Sequence, residues 1–180
     1  MEIIQLDREE YRGREYRTAY TTGGYYEVEY VGGLFRLLHR DLEAPKTLEL
    51  GDTLLSDWLE DPVLFGAFEG ETLLGLGEGS PETWNNRYRI SNLCVFEEAH
   101  RRRGVGQALM ARLLAEARAK GARMAVLETQ TCNERAIAFY RKMGFEVIGL
   151  DRYAYSNEDS PQSGMRLEMG KVLAEGAAGQ

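Results

Sequence analysis

Cysteine is scarce in this sequence: Cys94 and Cys132 are the only two among 180 residues. Two cysteines build no disulfide framework. His39 and His100 stand apart with no metal-ligand spacing, so no metal is expected. No apolar run reaches the roughly 20 residues that span a bilayer. The start, Met1-Glu2-Ile3-Ile4-Gln5-Leu6-Asp7, has neither the basic region nor the apolar core of a secretory signal. The expected location is therefore the cytoplasm, without a membrane partner. Positive charge is also in deficit, with 22 Lys and Arg against 29 Asp and Glu and a net charge of −7. That balance argues against a general nucleic-acid binder and favours a cationic substrate. No linker, internal repeat or low-complexity block interrupts a chain long enough to bury a sizeable core.

What stands out against the acidic background is one basic, glycine-containing stretch, Arg101-Arg102-Arg103-Gly104-Val105-Gly106-Gln107. It follows a strand expected over 88–96 and opens a helix expected over 104–120. Gly106, Leu109, Met110, Leu113, Leu114 and Ala117 recur at three-and-four spacing and would form the buried face. Gly121 is placed to stop the helix. A helix start offers backbone N–H groups without internal partners and the positive end of the helix dipole, a combination that binds anions. Arginines add charge-assisted hydrogen bonds to phosphate. A nucleotide P-loop would need Lys and Ser or Thr after the second glycine, where Gln107-Ala108 stand. A dinucleotide fingerprint would need glycine at position 109, which is Leu.

In the rest of the chain, a short strand is expected over 2–6. A β-hairpin is expected with arms 25–31 and 34–40 around Gly32-Gly33. Asp52 or Thr53 can cap a short helix carrying Leu54, Leu55, Trp58 and Leu59, ended by Pro62. Strands 63–68 and 72–78 flank the turn Glu69-Gly70-Glu71. A polar loop over 80–87 contains Trp84-Asn85-Asn86. A strand over 124–129 precedes a helix whose cap is Thr131 or Asn133. That helix would bury Ala136, Phe139, Tyr140 and Met143 and stop at Gly144. Strands over 145–150 and 165–169 follow. This order predicts an α/β protein of the α+β type, with a mixed central sheet, helices on both faces and an N-terminal β-hairpin. Residues 1–50 are expected to embellish a core at 51–172, with a frayed tail at 173–180.

The pattern Arg-x-x-Gly-x-Gly between a strand and a helix resembles the pyrophosphate loop of the GNAT superfamily of N-acetyltransferases. A second cluster, Leu127-Glu128-Thr129-Gln130-Thr131-Cys132-Asn133 followed by Ala136, Phe139-Tyr140 and Gly144-Phe145, resembles the late strand and helix of the same superfamily. The resemblance spans residues 63–171, and the Leu127-Glu128-Thr129-Gln130 strand, the Phe139-Tyr140 helix, the segment 151–155 and the Asn85-Asn86-Arg87 loop look most like the streptothricin-acetyltransferase-like branch. It implies a transferase using acetyl-CoA as co-substrate and acetylating an amine directly, without an acetyl-enzyme. It assigns the coenzyme A pyrophosphate to Arg101, Arg102, Arg103, Gly104, Val105, Gly106 and Gln107, with Arg102 and Arg103 as alternative guides for the 3′-phosphate. It gives Cys94, Val95 and Phe96 backbone contacts with the pantetheine arm and thioester. Asn133 would contact the cofactor, and Tyr140 would protonate the leaving sulfur. Trp84, Asn85 and Asn86 are candidates for the acceptor pocket.

One departure matters. Many members of the family carry a carboxylate base on the strand before the loop, and Ile90-Ser91-Asn92-Leu93 has none. Glu128 is the first candidate for the base. A water relay and capture of an already neutral amine are the alternatives. Cys132 is not expected to be a nucleophile, since direct transfer needs none. A small amine is the expected acceptor, possible readings extending to a peptide amine or to a coenzyme A-binding module without turnover. A homodimer is open.

Overall fold

Alternation of apolar with small or polar side chains builds strands through most of this protein, and the computed structural model describes residues 1–96, 100 and 103–173. In chain order the elements are β1 (Glu2–Gln5), α1 (Arg8–Tyr11), β2 (Glu15–Val31), β3 (Leu34–Thr53), β4 (Val63–Glu69), β5 (Thr72–Glu82), β6 (Arg87–Val95), α2 (Val105–Ala119), β7 (Met124–Gln130), α3 (Glu134–Lys142), β8 (Glu146–Asp151) and β9 (Arg166–Val172). They fall into two units. One comprises Met1–Thr18, Gly51–Leu127 and the chain from Lys171; the other comprises Ala19–Leu50 and Glu128–Gly170. The segment 1–50 is thus shared between both.

Of the seven strands of the mixed sheet, the first unit holds the run β1-β4-β5-β6-β7. All its pairings are antiparallel except β6 with β7, which are parallel and joined through α2. The helix lies close on this sheet because position 77 is glycine. A Cβ there would meet Leu113 at 3.1 Å and Leu109 at 3.4 Å. Neighbouring strand residues face opposite ways, so Leu76 points to the other side. There it packs with Leu54, Leu55 and Leu64, with Tyr11 of α1, Leu6 and Tyr16 around them. Helices therefore flank both faces of this unit.

The buried face of α2 is Val105, Leu109, Met110, Leu113, Leu114 and Ala117. Val105 takes the place expected for Gly106, which is half-buried. The predicted helix over 54–59 does not form. Leu54 and Leu55 both enter the core, Leu55 adopts φ 53°, and its N–H donates to Glu78 at 2.7 Å. These tertiary contacts override a helical pattern that would have buried Trp58, which is exposed instead. The polar loop expected over 80–87 is shorter, because β5 continues to Glu82.

In the second unit β2 and β3 pair as a two-stranded ribbon. Its Gly32-Gly33 turn is where it was expected, but the arms are far longer. Alternation of Tyr and Thr with charged residues over 15–22 escapes a reading based on aliphatic side chains, yet Tyr20 and Thr22 are buried. Within this unit the ribbon is tied to the chain before α3, where Tyr26 N–H donates to the Thr131 carbonyl at 2.9 Å. β8 and β9 pair antiparallel. Among the described residues no helix is long and apolar enough to cross a membrane.

Candidate active site

The loop before α2 presents an open helix start. Gly104 is its N-cap at φ 86°, a left-handed conformation that L side chains rarely adopt, and no side chain caps the helix. Nothing lies within 4 Å of where a Cβ on Gly104 would stand. The first N–H groups of α2 are thus not taken by a capping side chain, which fits an anionic pyrophosphate. Arg101 and Arg102 lie outside the described residues. Arg103 is held laterally: its Nη2 donates to Glu69 Oε1 at 2.7 Å, and its Nη1 lies 3.2 Å from His100 Nδ1.

Upstream, β6 carries Cys94 and Val95 to the loop, with Phe96 just beyond its end. The parallel ladder of β6 with β7 runs only from Arg87↔Met124 to Ile90↔Leu127. At the same level the pairing of β5 with β6 slips, because Glu78 opposes Asn92 and Gly79 opposes Ile90, which leaves Ser91 as an extra residue. This is a β-bulge. Around it sits a polar network that sequence reasoning missed. Glu78 is fully buried. It accepts from the Ser91 hydroxyl, from Asn92 Nδ2 at 3.2 Å and from Leu55 N–H. Asn92 Oδ1 in turn accepts from the Tyr16 hydroxyl at 2.6 Å. Burial raises the Glu78 carboxyl above its ordinary value, against the opposing pull of these donors. The signal in the sequence was a lone Glu within Leu-Gly-Leu-Gly-Glu-Gly-Ser, a polar residue on a strand otherwise fit for the core.

In the second unit Asn133, not Thr131, caps α3, its Oδ1 accepting from Ala136 N–H at 3.2 Å. Thr131 is used elsewhere, donating to the Pro161 carbonyl and accepting from Met165 N–H. Ile137 and Tyr140 are the buried residues of α3, with Ala136, Phe139 and Met143 half-buried beside them. The Tyr140 ring lies edge-on to Phe139 at 5.5 Å and 6.2 Å from Phe145. Cys132 is buried beside the Tyr20 hydroxyl at 3.3 Å, and burial pushes its thiol up. A raised thiol makes a poor nucleophile at neutral pH.

Two further sets of expected site residues are placed as follows. Glu128, the first candidate for a base, has Oε1 bonded by the Tyr155 hydroxyl at 2.6 Å and Oε2 paired with Arg166 Nε at 3.0 Å. Trp84, Asn85 and Asn86 form the β5–β6 turn, at the opposite end of β6 from the loop. There the Asn85 carbonyl accepts from Arg123 Nε, the Asn86 carbonyl from Arg123 N–H, and Asn86 Nδ2 donates to the Gly121 carbonyl. The Trp84 ring is exposed. The structure does not bring this turn to the loop before α2.

Known proteins match this arrangement. A family model described as acetyltransferase (GNAT) family matches residues 31–145. The chain is 31% identical over 150 residues to a streptothricin acetyltransferase of Streptomyces lavendulae, spanning 79% of each. It is similar to the crystal structure of nourseothricin acetyltransferase, with a TM-score of 0.75 and 27% identity over 95% of this chain and 97% of that one. A structure from Bacillus anthracis solved with acetyl coenzyme A shares the fold at a TM-score of 0.71 and 19% identity, over 95% and 98% of the two chains. The protein is an N-acetyltransferase. The chain belongs to the acetyltransferase (GNAT) family.

Proposed function

We propose that this protein transfers acetyl from acetyl-CoA directly to a primary amine of a small molecule, an aminated antibiotic of the streptothricin type being the leading acceptor. The observation that carries this reading is the extent of the match to nourseothricin acetyltransferase. It covers 95% of the chain, well beyond the family segment 31–145, and so takes in most of the ribbon. In this reading 51–172 is the transferase core and 1–50 its embellishment, and the reaction takes place in the cytoplasm.

Acetyl-CoA supplies the acetyl group when bound. Gly104, Val105, Gly106 and Gln107 hold its pyrophosphate through backbone N–H groups, and Arg101, Arg102 and Arg103 add positive charge around them. Cys94, Val95 and Phe96 line the thioester arm, and Asn133 contacts the cofactor with the amide N–H that does not cap α3. Tyr140 donates its hydroxyl proton to the departing sulfur. Glu128, fixed between Tyr155 and Arg166, acts as a held negative charge and not as a base. An alkylamine with pKa near 10.4 is protonated at pH 7, and its deprotonation costs about 4–5 kcal/mol.

The test is release of free coenzyme A from acetyl-CoA with streptothricin, a panel of small amines and short peptides. Acetylation of streptothricin well above the other amines is expected. Preference for peptide N-termini would assign a protein or peptide acceptor. No release with any amine would overturn the proposed acceptor class.

A further inference from the structure

The strand before the pyrophosphate loop lacks a carboxylate, yet the structure supplies one beside it from β5. We infer that Glu78, acting through the Ser91 hydroxyl, receives the proton that the acceptor amine gives up. The inference rests on the acetyl-transfer reading above.

Three observations converge. Ser91 is the extra residue of the β-bulge, and it follows Ile90, the last β6 residue paired with β7. The bulge therefore sits where β6 leaves its parallel neighbour, on the strand that leads to the loop. Ser91 is half-buried while Glu78 is fully buried. The Ser91 hydroxyl is thus the more accessible end of the pair. The Ser91 hydroxyl donates to Glu78 Oε1, so a proton path is already aligned. Asn92 Nδ2 and the Leu55 N–H brace the same carboxylate and set its orientation.

The step balances. The ammonium nitrogen passes a proton to Ser91 Oγ as the Ser91 hydroxyl proton moves to Glu78 Oε1, which becomes a carboxylic acid. The nitrogen lone pair forms the N–C bond to the acetyl carbon. The acylated nitrogen sheds its second proton to solvent, the C–S bond breaks with its electron pair leaving on sulfur, the sulfur takes the Tyr140 proton, and Tyr140 is reprotonated from solvent. Glu78 returns its proton to solvent along the same hydroxyl. Burial makes Glu78 a stronger base than an exposed carboxylate, and the nearby Asp52 charge adds to this. Tyr16, reached through Asn92, and Tyr88 are the other titratable groups around it.

The deciding experiment is the pH profile of kcat/KM for Glu78→Gln, Ser91→Ala and Ser91→Thr with streptothricin, or with whichever panel amine the wild type acetylates. At pH 7 the first two are expected to lose about 100-fold or more. They should then regain about tenfold per pH unit as free amine accumulates towards its pKa near 10.4. Ser91→Thr keeps a hydroxyl and should lose markedly less at pH 7 than Ser91→Ala. A loss that is the same at every pH, with acetyl-CoA affinity weakened in parallel, would mean that Glu78 only shapes the bulge and would overturn the inference. A second measurement needs no acceptor: carboxyl-selective NMR titration of the wild-type protein. Glu78 ionised at pH 7, with its titration moved by Ser91→Ala, supports the relay. A Glu78 carboxyl still protonated at pH 8 overturns it, whatever the acceptor proves to be.

Discussion

The Tyr155 hydroxyl donates a 2.6 Å hydrogen bond to Glu128 Oε1. With Arg166 on the other oxygen, Glu128 is a clamped carboxylate at the end of its strand. Glu128→Gln is therefore expected to leave the acid limb of the kcat/KM profile in place. The ion pair is more than a third exposed, so its loss should cost only about 0.2–1 kcal/mol in denaturant unfolding. A shifted acid limb would return the role of base to Glu128.

Tyr140→Phe removes one hydroxyl and keeps the ring packed beside Phe139 and Phe145. The melting temperature should hardly move. The rate of coenzyme A release should fall by about 100-fold or more if the hydroxyl is the acid. An unchanged rate would discard Tyr140 as the proton donor.

Gly104→Ala tests the helix start. Space is open around the position, so the cost is the backbone's alone, about 1–2 kcal/mol for an L residue held left-handed. Calorimetric titration should show weaker acetyl-CoA binding as the loop relaxes. Full affinity in this variant would mean that the pyrophosphate is held elsewhere.

Glu134 sets an acid limit on stability. Burial alone would raise its carboxyl, but donors from His39, the Gly23 N–H and Thr22 outweigh burial and hold it below its ordinary 4.5. The folded state then binds this proton less readily than the unfolded chain. The contribution of the tie is complete above about pH 4.5 and is lost as the pH falls through the lowered value. Urea midpoints should be flat near neutrality and drop below pH 4.5, with a shallower drop in Glu134→Gln. An identical drop in the variant would assign the acid sensitivity to other carboxylates.

Local chemistry made much of this protein legible. The three-and-four spacing from Leu109 to Ala117 specifies an amphipathic helix in any context, and Gly121 ends it through a backbone conformation glycine adopts at no steric cost. The Gly32-Gly33 and Glu69-Gly70-Glu71 turns were equally plain. Reading failed where contacts distant in sequence compete with local preference. Leu54 and Leu55 form part of a helical pattern, yet the core cluster and the Glu78 carboxylate draw them into a turn. Polar alternation hid the true length of β2 and β3.

The sequence by itself determined that this is an acidic mixed α/β protein with a basic, glycine-containing loop at a helix start, because those properties depend on composition, spacing and backbone freedom. Only the tertiary structure decided which carboxylate stands beside the bulged strand. Glu78 meets Ser91 through the register of β5 on β6, and Glu128 is occupied by Tyr155 and Arg166, which lie far along the chain. Proton chemistry depends on which donors surround a group and how deeply it is buried. Both are properties of packing, and no local sequence pattern encodes them.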